Sequence, residues 1–315
     1  MARCSREDLL LPAPSQVVDI STFQRLSLSH MKRILVIGAT GTVGRNVISE
    51  LIAANAPIRA LTRNPDSASL PGQVEIVRGD LTIPDTLDGP LEGIDVVFLV
   101  WTAPATASAP ALARIAKHVP RVVFLSSPHQ TAHPFFQQPN PLATMHAEIE
   151  RLIETSGVQW TFLRPGMFAT NGLFWWAPQI RAGNIVRWPY GEAPTAPIHE
   201  RDIAAVAARI LCEEGHGGKD YVLTGPQSLS QFEQVKMIGE VIGRSLRFEE
   251  LSPEEARREL LTLMPLPVID MLLNACKIAY GAAVATPSRP PSPWPRFRVR
   301  FDHRTPDRVW ARSTT

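Results

Sequence analysis

The stretch RILVIGATGTVGRNVISELI, residues 33 to 52, constrains the fold more than any other part of the chain. Gly38, Gly41 and Gly44 stand three apart, behind a run of strand formers. The segment after them places Val43, Val47, Ile48, Leu51 and Ile52 on one helical face. A glycine exit from a strand into a helix gathers bare main-chain amides at one point. The first turn of a helix has N–H groups without intrahelical partners and lies at the positive end of the peptide dipoles. A diphosphate suits such a turn. In that role Gly38 permits the sharp exit, Gly41 leaves space for the phosphates, and Gly44 lets the helix lie close on the sheet. Thr40, Thr42 and Val43 complete the turn.

From Met31 onward the pattern alternates. RILVIGA, PIRALTR, VEIVRGDL, DVVFLVW, RVVFLSS and WTFLRPG are strand candidates, and DVVFLVW is apolar almost throughout, as a strand covered on both faces should be. Helical segments separate them. In ATMHAEIERLIETSG, Met145, Ile149, Leu152 and Ile153 share a face and Gly157 is placed to end the helix. Repeated strand–helix–strand units require right-handed crossovers. The fold expected is therefore α/β, a doubly wound parallel sheet of the Rossmann kind with a smaller C-terminal substrate lobe. Ligands on such a sheet bind beyond the carboxyl ends of the strands, where strand order reverses.

Four segments are expected. Residues 1–30 show no helical or strand period and read as a disordered extension or a start annotated upstream of Met31. Residues 31–170 form the dinucleotide-binding domain. Residues 171–285 open on the Trp-, Pro- and Gly-rich NGLFWWAPQIRAGNIVRWPYGEAP and form the lobe, interleaved with the end of the sheet through ERDIAAVAARILCE and KDYVLTG. Residues 286–315 hold six prolines, seven arginines and no lysine, an irregular basic tail. The formal net charge of +2 gives no excess for a nucleic acid or a membrane surface. Cys4, Cys212 and Cys276 are odd in number and far apart, which excludes a disulfide framework and makes a reducing cytoplasm the expected location. The uncharged, largely apolar stretch Val96 to Ala113 carries two internal prolines and reads as a buried strand with its loop rather than a membrane span.

The spacing GATGTVG is GxxGxxG. With ALTRNP, VRGDL, VVFLSS, TFLRPG and PIHERDIA in that order, it resembles the extended and atypical short-chain dehydrogenase/reductases. Within them the chain is most similar to the NmrA-like NAD(P)-binding proteins, including bacterial relatives of ergot-alkaloid-type reductases. The resemblance covers about residues 31 to 285, thinner in the lobe. It implies that Asp80 and Leu81 flank the adenine, although Asp80 also suits a plain turn, and that the turn Arg164-Pro165-Gly166 lies near the nicotinamide.

The second strand ends Leu61-Thr62-Arg63-Asn64, with no acid to accept ribose hydroxyls. Arg63 can clasp a 2′-phosphate that a carboxylate would repel, so NADP(H) is expected over NAD(H). Arg45 either adds charge there or is a surface arginine. The Tyr-x-x-x-Lys pair of the standard members is missing, because Pro194, Gly225 and Val284 stand four residues after Tyr190, Tyr221 and Tyr280. The aligned positions fall near Leu142 and His146. His146 and Ser126 are the catalytic candidates, and Ser127 is placed to contact the nicotinamide; each also has an ordinary structural use. His129 and His133 have metal-like spacing, but Pro128 and Pro134 speak against a helix, and no metal is expected. His199 and Asp202 are expected to cap a helix and close the lobe. Trp175, Trp176, Trp188 and Phe174 form either a wall for a flat apolar substrate or lobe core. Two functions fit: reduction of a small electrophile such as an iminium, quinone or enone, or an NADP(H) sensor that signals to a partner protein.

Overall fold

The computed structural model describes residues 31–130 and 141–285, and the fold set out here is that of the unit beginning at Lys32. β1 (Ile34–Ile37) passes through the glycine turn into α1 (Thr42–Ala53), followed by β2 (Ile58–Thr62), β3 (Glu75–Arg78) and the short α2 (Asp88–Leu91). β4 (Val96–Val100), α3 (Ser108–His118), β5 (Arg121–Leu125), α4 (Pro141–Thr155) and β6 (Gln159–Pro165) continue the alternation. α5 (Asn171–Trp175), α6 (Ala177–Ala182) and β7 (Ile185–Trp188) leave it, and α7 (Glu200–Cys212) with β8 (Lys219–Leu223) rejoin it. α8 (Gln231–Val241), β9 (Arg247–Glu250), α9 (Pro253–Leu260) and α10 (Leu266–Ala285) follow.

Seven strands pair in parallel in the order β3-β2-β1-β4-β5-β6-β8. The order reverses between β1 and β4, which places the crevice at their carboxyl ends. Ile34, Leu35, Val36 and Ile37 point to alternate faces, yet none is more than 1% exposed. Both faces are covered, so the strand shows no polar alternation. On one face Val47, Ile48 and Leu51 of α1 pack with Ile203, Ala204 and Ala207 of α7. On the other, Leu112 and Ile115 of α3 and Ile149 and Ile153 of α4 cover Phe124 and Phe162. Each such side chain contributes about 1.5–3 kcal/mol on burial. α4 gives way at Ser156 to Gly157, whose φ of +83° lies where only glycine is unstrained.

A third core lies off the sheet, where Trp176, Trp188, Leu251, Leu260, Leu272 and Cys276 meet around the parallel pair β7–β9. α8 and α9 each begin on a reciprocal capping box, Ser230 with Glu233 and Ser252 with Glu255. Among the described residues no helix is long and apolar enough to cross a membrane.

Candidate functional site

The glycine turn closes on itself at the switch point. Gly38 has φ +82°, and a methyl group there would lie 2.7 Å from the Val100 side chain of β4. Glycine is thus needed for both the turn and the close approach. The Gly41 amide donates to the Gly38 carbonyl at 3.1 Å, and the Arg45 amide to the Gly41 carbonyl at 3.0 Å. Gly41 is the N-cap residue of α1 and offers no capping side chain, and the first turn holds no acid. Its positive end is therefore left to a ligand. Thr40, Gly41 and Thr42 are exposed, whereas Val43 and Gly44 are buried and can present only main chain. A methyl on Gly44 would run into the Gly38 carbonyl and come 2.9 Å from Ala39 Cα. This cradle fits a dinucleotide diphosphate.

Arg45 is exposed on α1, as the surface reading has it, and also ties two loops together. Its guanidinium donates to the carbonyls of Thr40 at 2.9 Å, Ser69 at 2.8 Å and Ala68 at 2.9 Å, stitching the loop after β2 to the glycine turn. Arg63, at the end of β2, is exposed and makes no hydrogen bond or ion pair with the described residues. Asp80 Oδ1 accepts from the Thr82 amide and hydroxyl, both at 2.8 Å. Those bonds, helped by the Arg63 charge, hold its carboxyl below the usual range. Leu81 is 4% exposed, its side chain spent on the core.

The carboxyl end of β5 is built differently. The Ser126 amide donates to the Leu163 carbonyl at 2.7 Å, extending the ladder to β6. The Ser126 and Ser127 hydroxyls are buried without a hydrogen-bond partner. His146, from α4, is 9% exposed, sets its ring edge-on to Phe124 at 5.6 Å, and has Nδ1 likewise buried and unpartnered. Burial, aided by the nearby His129, pushes its pKa down to about 4, so the ring is neutral near pH 7. Leu142, at the aligned tyrosine position, is half exposed. Trp101, one residue past β4 as Ser126 is one past β5, adds a fourth orphan, Nε1. An unmade buried hydrogen bond costs about 1–3 kcal/mol, and groups left in that state are available to a ligand.

Trp101 escaped the sequence reading because nothing in its pattern separates it from strand core. So did the network behind β5. Arg164 does end β6, but its guanidinium turns to Glu150 and Asp220. His129 lies in a turn rather than a helix, with Nε2 3.4 Å from Glu150 Oε2, a close contact without hydrogen-bond geometry. His133 falls outside the described residues, among which no cluster suits a metal. His199 caps α7, its Nδ1 accepting from the Arg201 amide at 3.0 Å. The four aromatics divide. Trp176 and Trp188 are 2% exposed and belong to lobe core, Trp175 stacks on Trp188 at 5.2 Å, and Phe174 is 72% exposed.

Comparison with known proteins agrees with this geometry. A family model described as NAD(P)H-binding matches residues 38–214. The (4-alkanoyl-5-oxo-2,5-dihydrofuran-3-yl)methyl phosphate reductase of Streptomyces griseus is 38% identical over 78% of this chain and 86% of its own. The NAD(P)H azoreductase of Xenophilus azovorans is 34% identical over 79% and 87%. The NADPH complex of an Escherichia coli NADPH-dependent quinone oxidoreductase superposes with a TM-score of 0.67 at 26% identity, over 80% of this chain and 90% of that one. The chain belongs to the NAD(P)H-binding family, among its NmrA-like, atypical short-chain members.

Proposed function

We propose that the protein is an NADPH-dependent reductase of a small, flat, electrophilic molecule such as a quinone, an iminium or an activated enone. The observation that carries this reading is the set of unpartnered buried groups at the ends of β4 and β5 and on α4: Trp101 Nε1, Ser126 Oγ, Ser127 Oγ and His146 Nδ1. The glycine turn would hold the diphosphate and Arg63 the 2′-phosphate. Ser127 would contact the nicotinamide. When bound, NADPH supplies the hydride.

The chain's own part is to place the acceptor. Ser126 can donate to or accept from a substrate oxygen, and a neutral His146 can do either through Nδ1, depending on its tautomer. Leu173 and Phe174, exposed on α5 just after β6, offer an apolar surface. An electron-poor acceptor needs chiefly orientation and a dry pocket. That demand suits a site without a tyrosine–lysine pair, and relatives named for reducing an azo compound, a quinone and an unsaturated lactone support it.

The missing pair also favours a second reading, a binding-only sensor that passes the NADP(H) state to a partner protein. Absorbance of reduced nicotinamide, followed with a naphthoquinone, an azo dye and an unsaturated lactone, separates the two. Steady oxidation that falls about tenfold or more in Ser126→Ala supports the reductase. Unequal binding of oxidised and reduced nucleotide, with no oxidation by any acceptor, overturns it.

A further inference from the structure

The loop that leaves β6 leads into α5, and a buried acid at the start of α7 holds it. β6 lies between β5 and β8, and the Ser126 amide donates to the Leu163 carbonyl, so the chain leaves β6 beside the two serines. The loop then stays bound to its neighbours. The Gly166 amide donates to the Leu223 carbonyl at 2.9 Å, the Ile198 amide to the Met167 carbonyl at 2.8 Å, and the Ala169 amide to the Ile198 carbonyl at 2.8 Å. Phe168 packs against the core that also contains Ala39 and Val43 of the glycine turn.

Glu200, the first residue of α7, is 1% exposed. A buried acid is costly unless it is bonded, and the positive end of the peptide dipoles favours one here. Its Oε1 accepts from the Thr170 amide at 3.2 Å and from the Thr170 hydroxyl. Oε2 has no hydrogen-bond partner among the described residues, and His199 Nδ1, 3.8 Å from it, already accepts from the Arg201 amide. The carboxyl group thus grips Thr170 alone. Thr170 is the N-cap residue of α5, yet its hydroxyl makes no cap bond and is turned to Glu200 instead.

The far end of α5 is fastened as well. The Trp176 amide donates to the Gly172 carbonyl at 3.0 Å, and the Trp176 ring is sunk in the lobe core. Between the two fastenings Leu173 and Phe174 stand 63% and 72% exposed. A helix of five residues is too short to hold itself, so its pose is set by what grips its ends.

We propose that Glu200 is a positioning residue, whose clasp on Thr170 sets the pose of α5 and, through Leu173 and Phe174, the size of flat apolar acceptor the crevice favours. The inference rests on the reductase reading of that crevice. An acceptor laid on those side chains gains in proportion to the apolar area covered, so a fused-ring quinone depends on the clasp more than a single ring does. The diphosphate cradle does not depend on it.

The test compares the wild type with Thr170→Val, which keeps shape and amide but loses the hydroxyl, with Glu200→Leu, which removes the acceptor, and with Glu200→Gln, whose carbonyl oxygen can accept both bonds. Deuterium exchange without nucleotide should run about tenfold or more faster over residues 171–176 in the first two variants, with β6 unchanged, and should return toward wild type in Glu200→Gln. Nicotinamide fluorescence should give NADPH affinities within about twofold of one another, since no cradle residue is touched. The KM for a naphthoquinone should rise about tenfold in Thr170→Val and Glu200→Leu with kcat within about threefold, while the KM for benzoquinone moves less than about twofold. Wild-type exchange over 171–176 in Thr170→Val overturns the proposal, as does an equal rise in KM for the two quinones, or a loss of stability with neither KM changed. Faster exchange in the variants of a wild type that reduces no quinone supports the clasp and overturns the reductase reading instead. If Glu200→Leu fails to fold, Thr170→Val still decides.

Discussion

The two ends of the nucleotide crevice are built on opposite plans. At the diphosphate end the ligand-facing groups are main chain, and the nearby side chains are already committed. Arg45 is bound to three carbonyls and Asp80 to Thr82. At the other end the Ser126 amide and the Ser127 carbonyl are paired within the main chain, and polar side-chain atoms of Trp101, Ser126, Ser127 and His146 are left without hydrogen-bond partners. The first end holds a group common to many ligands, which backbone geometry can do alone. In the proposed reductase the second would have to tell one reacting molecule from another, which takes side chains held ready at a cost in unmade hydrogen bonds.

The glycines give the sharpest way to break this contrast. Gly44→Ala drives a methyl into the backbone of Gly38 and Ala39, where nothing flexible can give way. We expect a loss of about 3 kcal/mol or more of stability, and no measurable NADPH binding, checked by urea unfolding and fluorescence titration. Gly41→Ala meets only the Gly38 carbonyl, at 3.3 Å. Its stability should stay within about 1 kcal/mol of wild type, while NADPH affinity falls about ten- to a hundredfold because the methyl occupies phosphate space. Wild-type affinity in Gly41→Ala would place the diphosphate elsewhere and dissolve the comparison.

The second end can be probed through His146. Burial, with a smaller contribution from His129, lowers its folded pKa to about 4 from the ordinary 6.5 of a histidine. The unfolded chain then binds the proton more readily than the folded one between those values, so stability falls as pH drops through that window. From pH 7 to pH 5 the loss should be about 2 kcal/mol. Urea midpoints of the wild type and His146→Leu, compared at the two pH values, check it. The variant should lack this component. Equal slopes would mean that His146 is solvated, and the contrast between the ends would lose its best-buried member.

How much of this was legible in the sequence follows the same division. The glycine spacing, the apolar strands and the helix end at Gly157 obey local rules, and local rules are what a sequence displays. Ser126, Ser127 and His146 could be named by their place in the strand–helix order, but not their burial or want of partners. Glu150 lies on the same helix as His146, and nothing in that segment sets it apart from a surface acid. The parallel pairing of β6 with β8 brings Arg164 within reach of Asp220, and the packing of α4 on the sheet brings it to Glu150; neither has a signature in any one segment. Trp176 and Trp188 teach the same lesson in reverse, since aromatic clustering cannot say whether rings face a ligand or one another.

The smallest expected effect, and the one that refines the contrast furthest, concerns Arg63. It makes no bond with the described residues, so its replacement should leave stability within about 0.5 kcal/mol of wild type. In Arg63→Asp the carboxylate would repel a 2′-phosphate and accept from ribose hydroxyls, so NADPH should weaken about tenfold and NADH should tighten severalfold. Three of the five N–H groups of Arg45 are engaged by carbonyls, which pin its guanidinium to the glycine turn and the loop after β2. Asp80 also feels the change. Without the Arg63 charge its carboxyl should titrate closer to the ordinary range, though still held down by Thr82. Equal losses for both nucleotides would mean that Arg63 supplies bulk attraction and no selectivity. Opposite shifts would make it the one side chain at the diphosphate end that works as those at the nicotinamide end do, uncommitted within the protein and shaped to a single ligand.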